Sequence, residues 1–122
     1  MFFRVIVAGS RTFRNYDLLR SKLDILLRNK VPDVLIVSGG APGADALGER
    51  YAREREFPID PHPANWPMLG KRAGFVRNLT MANCADALVA FWDGESPGTR
   101  SMIDIALRQG LEVRVVRLSS VD

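Results

Sequence analysis

Val34-Leu35-Ile36-Val37-Ser38-Gly39-Gly40-Ala41-Pro42-Gly43-Ala44-Asp45 carries an unbroken apolar run through a glycine-rich turn into a segment of helical spacing. An apolar run without alternation suits a strand covered on both faces of a parallel sheet. The turn puts glycines where backbone can approach an anion with no Cβ in between. It also opens a helix whose unpaired N–H groups carry about half a unit of positive charge. A second turn of this kind, Gly94-Glu95-Ser96-Pro97-Gly98-Thr99, lies near the other end of the chain. Two such helix starts in one small chain point to a phosphate-bearing ligand.

Working outward, Phe3 to Ala8 is apolar apart from Arg4 and ends at Gly9-Ser10, a first strand and its turn. Asn15 to about Asn29 reads as a helix with Leu19, Leu23, Leu26 and Leu27 on one face, stopped by Pro32 and Asp33. Gly43 to about Glu56 forms the next helix, with Ala44, Leu47, Tyr51 and Ala52 inward. Phe57 to His62 suits a short strand that Pro58, Pro61 and Pro63 confine to a sheet edge. Gly70 to Cys84 predicts a third helix with Phe75, Val76, Leu79 and Ala82 against the sheet. Ala87 to Trp92 is a central strand, and a helix from about Gly98 runs through Met102, Ile103, Ala106 and Leu107 to a stop at Gly110. Val113 to Leu118 closes the sheet. Strands alternating with helices predict an α/β fold with a mostly parallel sheet of about five strands, helices on both faces and right-handed crossovers. Its ligand crevice is expected at the carboxyl ends of the strands. A length of 122 residues fits a single domain, residues 1–122.

Composition narrows the function classes. Lys and Arg number 17 against 14 acidic residues, a net charge of only +3. The basic residues alternate with acids, as in Glu49-Arg50, Arg53-Glu54 and Arg55-Glu56, which is the pattern of a solvated helix face. Duplex-binding proteins concentrate cations instead, so nucleic acid is not the expected partner. Cys84 is the only cysteine, which excludes an internal disulfide and a thiolate metal cage. No apolar run reaches the roughly 20 residues of a bilayer span, so a soluble, cytoplasmic protein with no membrane partner is expected. His62 stands between prolines without a partner at ligand spacing, and neither a metal nor a resident cofactor is predicted. The first strand is followed by Gly9-Ser10-Arg11 rather than Gly-x-Gly-x-x-Gly, and neither glycine turn ends in Gly-Lys-Ser/Thr. Dinucleotide dehydrogenases and P-loop ATPases are thereby disfavoured.

A parallel sheet brings Gly9-Ser10-Arg11, Ser38 to Asp45 and Asp93 to Thr99 to one edge. Asp45 falls in a first helical turn, where its carboxylate can satisfy backbone N–H groups or accept from a ligand hydroxyl. Thr99 and Ser96 offer hydroxyls beside the last helix start, as caps or ligand contacts. Ser10 and Arg11 are turn residue and solvated cation, or a phosphate clamp. Lys71, Arg77 and Asn78 follow a loop holding Asn65 and Trp66. A cation, an amide and an aromatic face in close succession suit a nucleotide, although Trp66 equally suits a lid over the core.

These blocks together carry a resemblance. Ala8-Gly9-Ser10-Arg11-Thr12-Phe13, Ser38 to Asp45, Pro63-Ala64-Asn65-Trp66, Gly70 to Asn78 and Gly98-Thr99 occur in order and resemble the SLOG superfamily, within it the small single-domain YspA-related group. The resemblance implies a Rossmann-like three-layer fold. It also implies nucleotide or nucleotide-derivative binding, with Gly39, Gly40, Gly43, Gly98 and Thr99 around phosphate and ribose, and pairing into homodimers. Steric blockage of that cradle by a side chain at Gly40 is expected. The related Lonely Guy phosphoribohydrolases use an arginine, matched by Arg77, and a glutamate three residues after the Gly-Thr threonine. Met102 stands at that position here, and a thioether can neither activate water nor stabilise a cationic sugar. Arg77 and Asp45 are the candidate catalytic groups if the chain is an enzyme. Three readings stay open: a sensor or carrier of a nucleotide or ADP-ribose-like ligand, a nucleoside-monophosphate phosphoribohydrolase or other nucleotide hydrolase, and a single-strand nucleic-acid binder.

Overall fold

β1 (Phe3–Gly9) is apolar apart from Arg4 because its middle, Val5 to Ala8, is covered on both faces. In the computed structural model, which describes residues 1–119, β1 is the middle strand of a five-stranded sheet. It is followed by α1 (Tyr16–Leu27), β2 (Val34–Ser38), α2 (Ala44–Arg55), β3 (Ile59–Pro61), a short α3 (Trp66–Leu69) and one 3-10 turn (Gly70–Arg72). Then come α4 (Ala73–Asn83), β4 (Ala87–Trp92), α5 (Pro97–Arg108) and β5 (Glu112–Arg117). Strand order is β3-β2-β1-β4-β5 and every pairing is parallel. The Rossmann-like three-layer sandwich read from the sequence is therefore the observed fold.

The two faces of β1 feed two cores. Val5 and Val7 pack with Leu19, Leu23 and Leu27 of α1 and Tyr51 and Ala52 of α2. Ile6 and Ala8 pack on the opposite face with Met81 and Ala82 of α4 and Met102, Ile105 and Ala106 of α5. The chain leaves β1 toward β2 on one side and returns through β4 on the other. The connections at the carboxyl edge therefore diverge there and leave a crevice.

Local chemistry sets the ends of the elements. Asn15 caps α1 by accepting from Leu18 N at 3.1 Å, Asn65 caps α3 through Met68 N at 3.3 Å, and Gly110 follows α5 with φ +80°. β3 is the edge strand that its prolines demand. Three expectations about helix faces change. Leu26 and Leu107 point to solvent at the margins of their stripes. In α4 the buried residues are Ala73, Asn78, Met81 and Ala82, whereas Phe75 and Val76 are exposed and only Leu79 and Ala82 of the predicted stripe touch the core. The reason is position: the first half of α4 overhangs the crevice rather than the apolar sheet, so its polar side turns inward. No helix among the described residues is long and apolar enough to cross a membrane.

Candidate ligand-binding site

Three loops at the carboxyl edge are tied to one another. Ser10 is buried, and its Oγ accepts from Asp93 N at 3.2 Å and meets Ser96 Oγ at 3.3 Å. Its carbonyl accepts from Ala44 N at 3.2 Å. Asp93 accepts from the N–H groups of Glu95 and Ser96, each at 2.8 Å, and from Ser96 Oγ at 3.0 Å. Those donors hold its carboxyl below the usual carboxylate range. Such close approach requires glycine. A Cβ on Gly9 would stand 2.1 Å from Phe91 O, and one on Gly43 (φ +81°) 2.3 Å from Ser10 O.

Between these loops, α4 and α5 lies a cavity of about 600 Å³. Arg77 forms one wall. Its Nη1 donates to Gly39 O at 2.8 Å and its Nε to Asn78 Oδ1 at 3.1 Å, which leaves the remaining N–H groups of the guanidinium unused by the described residues. Asn78, itself buried, donates from Nδ2 to Gly98 O at 3.4 Å and so links α4 to the first turn of α5. Burial lowers the Arg77 pKa, and the neighbouring Asp45 opposes that shift.

The first turn of α5 supplies the second wall. Pro97 has no N–H to offer, and Ser96, the residue in the capping position, spends its hydroxyl on Asp93 and Ser10. Among the described residues, the amides of Gly98 and Thr99 and the Thr99 hydroxyl have no partner. The start of α2 differs. Ala44 N is taken by Ser10 O, Gly40 N by Ser38 Oγ at 3.1 Å, and Ala41 N by Asp45 Oδ2 at 3.2 Å, while Ser38 donates to Glu49 at 2.6 Å. The glycine-rich turn after β2 thus spends the amides of Gly40, Ala41 and Ala44 within the protein, whereas those of Gly98 and Thr99 at α5 stay open.

Asp45 lines the cavity yet is only 5% exposed. Burial pushes its carboxyl up to about 6, against the pull of the Ala41 N–H and of Arg77. Because the folded-state value lies above the unfolded one, the stability that the protonated form brings is present below about pH 4 and is lost as pH rises through about 6. We expect Asp45→Asn to remove that loss, worth up to about 3 kcal/mol at neutral pH. Its thermal midpoint should draw ahead of the wild type between pH 4 and 7. Parallel curves across that range would show that Asp45 does not titrate there.

The mouth is aromatic and basic. Trp66 and Phe75 are both about half exposed and line it, with the Trp66 ring against Gly74. Lys71 and Arg11 are exposed at the lip. Met102, at the position where the resemblance implies a glutamate, is buried and contributes an apolar surface to the lining.

Of the residues singled out in the sequence, Gly9, Arg11, Asp45, Trp66, Lys71, Arg77, Asn78, Gly98 and Thr99 line this one cavity. Ser10, Ser38, Gly39 and Gly43 lie buried beneath the lining and shape it. Gly40 is exposed and is not among the residues that line the cavity, and a Cβ there would meet no protein atom within 4 Å. Phe75 was missed, having been assigned to the sheet. Periodicity does not find it, because Phe75 shares its stripe with Leu79 and Ala82, which do touch the core.

Comparison with known proteins gives a consistent placement. A curated relative, Gene 61 protein of Mycobacterium phage D29, is 35% identical over 116 residues, covering 90% of this chain and 93% of that protein. DNA processing protein A from Streptococcus pneumoniae superposes with a TM-score of 0.76 at 20% identity, over 99% of this chain but 52% of that one. The Helicobacter pylori DNA processing protein A, described for its single-stranded DNA binding mode, gives 0.70 at 18% identity over 97% of this chain and 66% of its own. The structural-genomics target TM1055 gives 0.66 at 24% identity, with 93% and 72% coverage. This chain thus spans about half to two-thirds of the DNA processing proteins, and at these identities the likeness is one of fold. Residues 3–68 match the family described as YspA, cpYpsA-related SLOG. With the phage relative matched along nearly its whole length, the chain belongs to the YspA, cpYpsA-related SLOG family.

Proposed function

We propose that the chain binds a nucleotide or nucleotide-derived ligand, a nucleoside phosphate or an ADP-ribose-like compound, and holds it as a sensor or carrier. The observation that supports this reading is the division of labour in one cavity. Unpartnered α5 amides, the Thr99 hydroxyl and the spare N–H groups of Arg77 face an anion, while Trp66 and Phe75 offer ring faces at the mouth. Turnover fits less well. Met102 has no acid–base chemistry, and Asp93 is saturated by backbone and hydroxyl donors. The exposed cations Arg11 and Lys71 at the lip favour a single-stranded oligonucleotide as the second reading. Pairing into a homodimer belongs to the same proposal and rests on the resemblance alone, and the cytoplasmic location proposed with it rests on the single cysteine, Cys84.

A thermal-shift series with AMP, ADP-ribose, cyclic nucleotides and a short oligonucleotide, with chromatography of each mixture, tests the proposal. Ligand at a hundredfold excess over Kd should stabilise the fold by about 2.7 kcal/mol and be recovered intact. Free base with ribose phosphate in the eluate would replace the carrier by a hydrolase. Oligonucleotide binding that collapses steeply with salt, without mononucleotide binding, would replace it by the second reading.

A further inference from the structure

A wall that attracts anions contains one carboxylate with an oxygen to spare. Asp45 Oδ2 accepts from Ala41 N at 3.2 Å. Oδ1 has no partner among the described residues, yet it is not sealed inside protein, so it opens on the cavity that Asp45 lines. Asp93, the other acid on the lining, has both oxygens engaged. Asp45 and Arg77 are neighbours: Oδ2 and Nη1 lie 2.9 and 2.4 Å from the point a Gly39 Cβ would occupy. They form no ion pair within 4.0 Å among the described residues, so neither neutralises the other by contact.

A phosphate laid against Asp45 would meet a like charge. A hydroxyl would supply the donor that Oδ1 lacks. In a nucleoside phosphate the group next to the phosphate is the sugar, whose ring hydroxyls are donors, and the base lies beyond it. The cavity lining holds the same three chemistries: donors for an anion on α5, an acceptor at Asp45, and ring faces at Trp66 and Phe75. We infer that Asp45 reads the sugar hydroxyls of the ligand, so the pocket takes ribonucleotides in preference to their 2′-deoxy counterparts, with the phosphate at the Gly98 and Thr99 amides. This rests on the nucleotide reading above and adds the sugar class to it.

Calorimetric titration of the intact chain with AMP, 2′-deoxy-AMP and inorganic phosphate tests the inference without any substitution. AMP should bind roughly tenfold or more tightly than 2′-deoxy-AMP, the effect of one hydrogen bond to a charged acceptor. Equal affinity for the two nucleotides would overturn the role of Asp45 while leaving nucleotide binding in place. Binding of neither would overturn both. Asp45→Asn, checked for folding by its thermal melt, should lose the preference and bind AMP about as weakly as wild type binds the deoxy compound. A folded variant that keeps the full preference would place the sugar elsewhere. Should the variant fail to fold, the wild-type comparison still decides.

Discussion

Arg77→Ala should weaken binding of a phosphate-bearing nucleotide by about 100-fold, the loss expected for a charge-assisted, two-pronged contact. The guanidinium is held in place from behind, by Gly39 O and Asn78 Oδ1, so its free edge needs no reorganisation when an anion arrives. It is half buried, and low local dielectric strengthens its attraction for a phosphate. The fold should survive the change. What is lost inside the protein is one bond to a carbonyl and one to Asn78, a cost of about 1–2 kcal/mol, partly offset because a desolvated cation is removed. Arg77→Lys restores the charge but not the planar fork and should recover only part of the affinity. Titration of each variant with AMP, alongside a thermal melt, reads both effects. Wild-type affinity in a folded Arg77→Ala protein would take this residue out of the site.

Gly43→Ala should cost about 3–5 kcal/mol of folding stability, a large part of the roughly 5–15 kcal/mol that a domain has. Gly43 has φ +81°, and its absent Cβ would fall 2.3 Å from Ser10 O and 2.5 Å from Arg11 O, so backbone of the β1–α1 loop would have to move. That movement would break the Ala44 N to Ser10 O bond and loosen the loops that frame the cavity. Gly40→Ala is the matched comparison. It has a similar φ of +73° but open space around the missing Cβ, and should cost only about 1–2 kcal/mol, the conformational penalty alone. Denaturant midpoints at constant slope give both numbers. Equal costs would mean that loop contact at Gly43 does not matter.

Most of the fold is legible in the sequence because β1, β2 and β4 are buried on both faces and therefore read as plain apolar runs between turns. β3 is legible through a negative signal: Pro58 and Pro61 leave a strand nowhere but the edge, and the edge is where it lies. The orientation of α4 is not legible from periodicity. Phe75, Val76 and Leu79 form a regular apolar stripe, but half of this helix faces a cavity instead of a core, and hydrophobic spacing carries no information about which. The short α3 and the 3-10 turn after it are hidden for a related reason. They bury no residue of their own, and a cap such as Asn65 is their main signature.

The convergence of the three loops follows from parallel topology and is readable in advance. The way each loop uses its donors is not. Ser38, Asp45 and Ser10 engage the amides of Gly40, Ala41 and Ala44, while Ser96 turns away from capping α5 because Asp93 and Ser10 engage its hydroxyl. Both turns look alike as strings of glycine and small residues. Only the pairing of side chains with amides in three dimensions shows which of their donors are already engaged.

Amide chemical shifts of the isotopically labelled chain during titration with AMP test the central claim most directly. Open donors at the start of α5 predict saturable, one-to-one shifts of the Gly98 and Thr99 amides and of the Arg77 Nη–H groups, with the Gly40 and Ala41 amides, already bonded within the protein, moving little. Stationary Gly98, Thr99 and Arg77 signals in the presence of bound nucleotide would contradict it.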